Sequence, residues 1–250
     1  RQIGNAVPPV LGEALGRSLL KSLAGKPRER GSRAAQRFEK ERELLLAWAD
    51  DDAREAPWRH PGHEDAWLSL VGVVLGDRIG ASDEHVRATI ESFPRRAKSV
   101  AKKLAALSRS SEGSLGEGLS RLAKAAAALG SKTGAWDATD WAAAASLGPN
   151  EASLVRLLGM GDPALVSTSQ ALRVVARLSG QGVDQKNSLT HGRMLLGRFV
   201  GLSDDDRSIR VNAAIHALGR AVCRADMPEC ARCPLAQVCR HRAGLRRNVA

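Results

Sequence analysis

The last thirty residues hold all four cysteines of the chain, and no other feature of the sequence restricts the fold as strongly. They follow the pattern C-x6-C-x2-C-x5-C, as Cys223, Cys230, Cys233 and Cys239. Four thiolates this close in sequence can supply the whole coordination sphere of a soft metal centre, and no cysteine is left over. A disulfide framework fits poorly, because we see no secretory signal pattern and intracellular proteins keep their thiols reduced.

Zinc is the alternative metal. Zinc-binding cysteines usually come as two short knuckles, whereas only Cys230 and Cys233 have that spacing here. Segments of unequal length separate the two outer cysteines, Cys223 and Cys239, from this pair. The spacing favours an iron–sulfur cluster. We therefore predict that all four cysteines are metal ligands.

The charge balance predicts a polyanionic partner. The chain has 38 Lys and Arg residues against 27 Asp and Glu, a formal charge of +11, and nucleic acid fits this excess best. Seven arginines lie between Arg220 and Arg247, so that positive charge surrounds the cysteines. This tail either contacts phosphate or is a solvated basic end. No stretch approaches about 18 apolar residues, so we expect no membrane partner and a cytoplasmic, nucleoid-associated protein.

The residue pattern predicts an all-α fold. Helix formers dominate in runs such as Leu119–Leu129, where leucines recur at helical spacing and Gly130 suits a C-cap. No stretch alternates apolar and polar β-branched residues for long enough to require a strand.

The N-terminal residues carry a pattern of their own. The stretch RQIGNAVPP at positions 1–9 leads into an amphipathic helix pattern that ends near residue 25. It resembles the last conserved motif of DNA cytosine-5 methyltransferases, which helps complete their cofactor pocket. The other motifs of that family are missing, so this segment alone cannot methylate DNA. The resemblance implies that residues 1–25, followed by a charged linker at 26–35, belong to a methyltransferase in cis or in trans.

The remainder, residues 36–250, resembles a second family. Ala56–His60, Trp67–Leu75 and Phe93–Pro94 are similar to the opening of helix-hairpin-helix base-excision DNA glycosylases, among them endonuclease III and the adenine and T·G mismatch glycosylases. The C-x6-C-x2-C-x5-C ending matches the [4Fe–4S] signature of that superfamily. The resemblance implies a bound [4Fe–4S] cluster and two α-helical lobes, with double-stranded DNA crossing the cleft between them.

The resemblance also implies where these lobes lie. A central helical barrel is expected at about 60–175, and an iron–sulfur lobe from 36–58 together with 176–242. The DNA-binding hairpin is expected at Ser146, Leu147 and Gly148, followed by Asn150 in the next helix. Such a hairpin works through backbone N–H groups that a tight turn presents to a phosphate. The family pattern is usually G-V-G, so Ser146 replaces a glycine, and an ordinary helix–turn–helix connection is the alternative.

The catalytic groups of the family are replaced in this chain. Thr168 occupies the position of the family's aspartate, and Asn150 the position at which bifunctional members carry a lysine. Gly72 occupies the position of the glutamate of adenine-specific members. A departing base leaves positive charge on the deoxyribose, which a carboxylate stabilises and a threonine does not. The sequence assigns no catalytic residue, although a replacement acid is conceivable at three positions, namely Asp77, Asp162 and Asp184.

The combined patterns predict a catalytically degenerate DNA-binding iron–sulfur module attached to a DNA cytosine-5 methyltransferase. One alternative is an active glycosylase that excises a mismatched base such as T from T·G, which would require base flipping and an open pocket. A second is a C-terminal methyltransferase fragment with a structural appendage. Excision assays distinguish the degenerate module from the active glycosylase. The reading frame upstream of Arg1 tests whether the chain is a methyltransferase fragment.

Overall fold

A computed structural model describes residues 38–61, 66–93, 98–129, 138–201 and 205–247. The methyltransferase-like segment 1–25 and the linker 26–35 lie outside these residues. The chain divides into two compact units, Arg1–Glu39 and Lys40–Ala250, and all of the sites discussed below belong to the second.

The prediction of an all-α fold is confirmed, since the described ranges contain helices and turns and no strand. Eleven α-helices run through these ranges, which we number in chain order. They are α1 (Glu39–Glu55), α2 (Ala66–Val71), α3 (Asp83–Ser92), α4 (Lys98–Ser110), α5 (Gly113–Leu129), α6 (Ala138–Ala145), α7 (Pro149–Met160), α8 (Ser169–Ser179), α9 (Leu189–Val200), α10 (Asp206–Ala221) and α11 (Arg240–Arg247). Short 3₁₀ turns lie at Pro57–Arg59 and Lys186–Ser188. No helix in the described ranges is long and apolar enough to cross a membrane.

A π-helical turn, Gly72–Arg78, continues directly from α2. Its wider winding is seen where the Ile79 N–H donates to the Val74 carbonyl, five residues back, at 3.3 Å. Gly76 in this turn is closely packed against the Arg220 guanidinium of α10. The same guanidinium donates to the Ala81 carbonyl at 2.9 Å. Arg220 therefore serves inside the fold, although the sequence places it in the basic tail. Single π-helical turns are rare and occur frequently at functional sites.

The Ala56–His60 motif follows α1 in the chain, and its buried arginine links α1 to α3. Trp58, Arg59 and His60 are all buried. The Arg59 guanidinium pairs with Asp52 of α1 at 3.1 Å and also with Asp83 of α3. Burial alone lowers the pKa of Arg59, but the hydrogen bonds and charges of the two aspartates outweigh it and leave the pKa raised. The motif thus supplies a buried, fully charged anchor between two helices.

Buried apolar side chains hold the helices together. One packed cluster lies among α2 to α7 and includes Trp58, Trp67, Leu70, Leu75, Leu104, Leu122, Leu154 and Leu157. Further buried apolar side chains lie on α1, α8, α9 and α10, namely Leu45, Leu172, Val175, Phe199, Val211, Ile215 and Leu218. The lobe boundaries expected from the sequence stay a prediction.

The contact between α8 and α10 depends on a glycine. A Cβ atom placed on Gly219 would lie 2.5 Å from the backbone oxygen of Gln170. The two helix backbones can therefore approach closely only because position 219 has no side chain. α10 is buried without interruption from Val211 to Gly219, so the rest of the fold cannot easily move aside.

We predict that Gly219→Ala lowers the free energy of unfolding by about 2 kcal/mol, because the added methyl group overpacks the helix crossing. Thermal and denaturant unfolding measure the change. Gly244→Ala in α11 is the matched control, since nothing lies within 4 Å of its added Cβ. The control is expected to be neutral or to stabilise by up to about 1 kcal/mol through helix propensity. Equal effects of the two substitutions would contradict this account of the crossing.

Candidate functional site

The hairpin predicted at residues 146–148 joins α6 to α7. Ser146 has φ of 51°, the left-handed conformation, and is the one residue other than glycine in the described ranges with a positive φ. Glycine adopts this conformation without penalty, whereas serine does so at a modest cost in free energy. The turn therefore forms with serine in place of glycine. Pro149 follows as the first residue of α7, where its missing N–H costs nothing.

Two side chains hold this turn. Arg121 of α5 donates to the Ser146 carbonyl at 2.9 Å, and the Glu117 carboxylate in turn accepts from Arg121. On the other side of the turn, the Gly148 N–H donates to the Glu151 carboxylate at 2.8 Å. Arg78 of the π-helical turn donates to both oxygens of the same carboxylate, at 2.8 and 2.9 Å.

This arrangement differs in one respect from the hairpin expected from the sequence. The N–H of Gly148 is already paired with a carboxylate of its own chain, and Pro149 has no N–H. The backbone donors left in the first turn of α7 are those of Asn150 and Glu151, which have no partner within the helix. A phosphate at this hairpin would use these two donors or displace the Glu151 carboxylate.

A cleft with a volume of about 190 Å³ opens to solvent beside the hairpin. It is lined by residues of the π-helical turn, α7, the start of α8 and α10. They are Asp77, Asn150, Glu151, Leu154, Thr168, Ser169, Gln170 and His216. Polar and ionisable groups from four separate parts of the chain therefore face one space.

Thr168 begins α8 at the wall of this cleft. Its hydroxyl oxygen accepts from the Ala171 N–H at 3.2 Å, which is the N-cap interaction that threonine commonly provides. The same oxygen lies 2.9 Å from Nδ1 of His216. Both side chains are buried, with 8% of Thr168 and 2% of His216 exposed. The threonine hydroxyl can donate to His216 while it accepts from Ala171, because a hydroxyl group does both.

Asp77 lies on the other side of His216. Its Oδ1 atom is 3.0 Å from His216 Nε2, and 13% of the Asp77 side chain is exposed. The contact has the distance of an ion pair but not the angle of a hydrogen bond, and this buried oxygen accepts no hydrogen bond from the described residues. Asp77, His216 and Thr168 thus form a continuous chain of contacts along one wall of the cleft.

The four cysteines face a second space. They line a small cavity together with Arg177, Val222, Pro228, Ala236, His241 and Arg242. None of the four thiols is in a disulfide bond. Burial raises the pKa of the Cys233 thiol to about 11, a backbone hydrogen bond from Leu235 opposes the rise, and negative charge on the other three cysteines adds to it. Four cysteines crowded in this way could all lose their protons only around a positively charged centre.

Two arginines of α8 hold the first cysteine of this cavity. Arg173 donates to the Cys223 carbonyl at 2.8 Å, and Arg177 lies 3.4 Å from the Cys223 sulfur. Arg177 also donates to the carbonyls of Arg224 and Ala225. Within the described ranges, no three His, Cys, Asp or Glu side chains converge closely enough to hold a single metal ion. The cysteines are arranged around a cavity and not around one point.

Comparison with solved structures identifies the architecture. A trapped endonuclease III–DNA covalent intermediate, in an estranged-adenine complex, matches with a TM-score of 0.52 over 82% of this chain and 98% of that chain, at 22% sequence identity. This chain has the endonuclease III fold. No family model and no curated protein matches its sequence.

Within the endonuclease III fold, the structure distinguishes the three acids that the sequence offered as replacements. Asp77 lines the cleft with Thr168 and Asn150. Asp162 instead pairs with Arg156 and accepts from the Ala164 N–H at 2.8 Å, so that it serves the loop before α8. Asp184 lies in a different surface depression, beside Gly180 and Arg240.

The remaining position, Gly72, has no room for a side chain. A Cβ atom there would lie 2.7 Å from the Trp58 ring, so this packing cannot accommodate a glutamate at position 72. Sequence reasoning did not identify His216. The available signal was a single histidine within the otherwise apolar stretch Ala213–Leu218 of α10.

Proposed function

We propose that this chain is a DNA-binding iron–sulfur module with the endonuclease III fold, attached to a DNA cytosine-5 methyltransferase and degenerate at residues 168 and 150. The observation that carries the proposal is the hairpin, whose tight turn directs the N-terminus of α7 to the rim of a polar cleft. Backbone N–H groups and the helix dipole at such a terminus attract phosphate without regard to sequence.

Charge supports the same partner. The net charge of +11 favours association with a polyanion, and α11 adds Arg240, Arg242, Arg246 and Arg247 within one short helix. Part of the arginine excess is used internally, since Arg224 and Arg232 both pair with Glu229. We therefore assign the electrostatic attraction to DNA to the whole protein surface. The hairpin would fix the position of the protein on the DNA backbone.

The cavity lined by Cys223, Cys230, Cys233 and Cys239 suits a [4Fe–4S] cluster. Four sulfurs at the walls of one cavity match the ligand number of the cluster. When bound, such a cluster joins four thiolates into one centre that braces the loop and can exchange an electron. Arg177, beside the Cys223 sulfur, would balance part of the negative charge.

The degenerate character rests on two replacements. Thr168 caps α8 and carries no charge, and Asn150 has an amide that cannot form a Schiff base. Excision through an aspartate at 168 and strand cleavage through a lysine at 150 are therefore lost. The methyltransferase attachment rests on residues 1–9 of the sequence, and the reading frame immediately upstream tests it.

We predict that anaerobically purified protein is brown and contains about four iron and four sulfide ions per chain. Replacing Cys233 with Ala should abolish the visible absorption, because the cluster loses a ligand. Metal and sulfide analysis measures the outcome. A colourless protein with one equivalent of zinc and no sulfide would overturn the assignment.

We predict that the chain binds duplex DNA with little sequence preference and with an affinity that falls steeply as salt rises. Gly148→Val should weaken binding about tenfold, since side-chain bulk at the turn keeps phosphate from the hairpin. A tenfold loss corresponds to about 1.4 kcal/mol. The backbone at Gly148 is extended (φ −74°), and the nearest atom to an added Cβ lies 3.6 Å away, so the variant can fold.

Gly182→Val supplies the control for this substitution, because Gly182 lies in an exposed loop and the nearest atom to its added Cβ is 4.0 Å away. Fluorescence anisotropy at several salt concentrations measures both variants. Equal affinity for the wild-type chain and Gly148→Val would remove the hairpin from the contact surface.

A further inference from the structure

A surface depression with a volume of about 500 Å³ lies between the end of α8, the loop that follows it and the start of α11. No described residue lines both this depression and the cleft beside the hairpin. Its polar side chains are Arg177, Gln181, Asp184, Arg240 and His241. A depression of this size can hold a small molecule.

Three glycines line the depression and keep it open. A Cβ atom added to Gly244 would meet nothing else within 4 Å, and one added to Gly182 would meet its nearest atom at 4.0 Å. Gly180 ends α8 in the left-handed conformation, with φ of 69°. The stem of Arg240 lies against it, since a Cβ atom at position 180 would be 3.1 Å from the Arg240 Cβ. The backbone is therefore open to close approach, and Arg240 is seated at the edge of the depression.

The loop after α8 is fixed on its inner side. Val183 is buried, and its carbonyl oxygen lies so close to Gly192 of α9 that no side chain fits there. The Ser188 hydroxyl donates to the Gly182 carbonyl at 2.8 Å. With Val183 held inside, the next residue, Asp184, is exposed and lines the depression. The position of this carboxylate is thus set by the fold.

Two charged groups of the depression are unpaired. Arg177 is already bound, since it donates to the carbonyls of Arg224 and Ala225. The Arg240 guanidinium, in contrast, has no hydrogen bond or ion pair with any residue that the structure describes, and neither has the Asp184 carboxylate. The two groups line one space and do not pair with each other. A ligand with an anionic group and a hydrogen-bond donor would satisfy both.

We propose that this depression binds a small phosphate ester that carries hydroxyl groups, such as a sugar phosphate. Arg240 binds the phosphate, because an unpaired guanidinium presents parallel donors to phosphate oxygens. The Asp184 carboxylate accepts from a hydroxyl of the same molecule, as acidic residues do in sites that bind ribose. The positive end of the α11 dipole lies at Arg240 and favours the same anion.

The carboxylate also distinguishes this ligand from DNA. The negative charge of Asp184 repels a polyanion, and the deoxyribose units within a DNA strand have no free hydroxyl to donate. The depression therefore adds a small-molecule site to the DNA-binding face proposed above and does not depend on it.

Isothermal titration calorimetry of the full chain with ribose 5-phosphate tests the proposal. We expect saturable binding with a dissociation constant of about 1 mM or lower, and much weaker binding of ribose. Arg240→Gln should weaken binding of ribose 5-phosphate at least about tenfold, because the charge-assisted hydrogen bonds to phosphate are lost. Arg193→Gln is the matched control, since it removes the same charge from an exposed position of α9 outside the depression, and it should bind like the wild-type chain.

Asp184→Ala separates recognition of the hydroxyl from the effect of charge. It should weaken binding of ribose 5-phosphate about fivefold through loss of the acceptor. It should strengthen binding of sulfate, an anion with no hydroxyl, because a repelling charge is removed. Gly244→Leu should block both ligands by filling the depression, with unfolding temperature and DNA affinity close to the wild-type values, because its added Cβ meets nothing else.

Absence of saturable binding of ribose 5-phosphate would overturn the proposal, as would wild-type affinity of Arg240→Gln or of Gly244→Leu. Displacement of ribose 5-phosphate by duplex DNA would also overturn it, by showing that the depression takes backbone phosphate. These outcomes are independent of DNA binding at the hairpin, which Gly148→Val tests.

Discussion

The close crossing of α8 and α10 at Gly219 is the constraint on which both sites depend. α8 begins with Thr168 at the cleft and carries Arg173 and Arg177 toward the cysteines. α10 supplies His216 to the cleft and ends beside Cys223. Because the two backbones touch where Gly219 lacks a side chain, a shift of one helix would misplace the polar chain and the cysteine cavity together. The crossing therefore fixes the cleft and the cysteine cavity relative to each other, although the two differ in their chemistry.

The sequence predicted the features that are local in the chain. Cysteine spacing, the helical periodicity and the turn before Pro149 each occupy a short segment, so pattern and propensity were sufficient for them. The contacts of the cleft were beyond such reasoning. Asp77 and His216 are far apart in sequence, and they meet only through the π-helical turn and the packing of Arg220 on Gly76. The hydrogen bond from the Gly148 N–H to the Glu151 carboxylate was likewise not predictable, because the sequence pattern of the turn does not specify the position of that side chain.

Thr168 and Asp77 are parts of one electrostatic arrangement around His216. An aspartate at 168 would place its charge beside His216 and close to Asp77, and two carboxylates sharing one imidazole would repel each other. Threonine keeps the N-cap of α8 and adds no charge. The negative charge of the cleft thus lies on Asp77 of the π-helical turn, while the Glu151 carboxylate beside the hairpin is paired with Arg78 of the same turn.

The account depends centrally on the hairpin and the cleft forming the face that meets DNA. Hydrogen–deuterium exchange of the full chain, measured with and without duplex DNA, tests this most directly. The account predicts slower exchange in the first turn of α7 and in the π-helical turn at Gly72–Arg78, both of which line the cleft. Slower exchange confined to α11 and the cysteine loop, with both of these segments unchanged, would show that DNA binds the basic tail alone and would contradict the account.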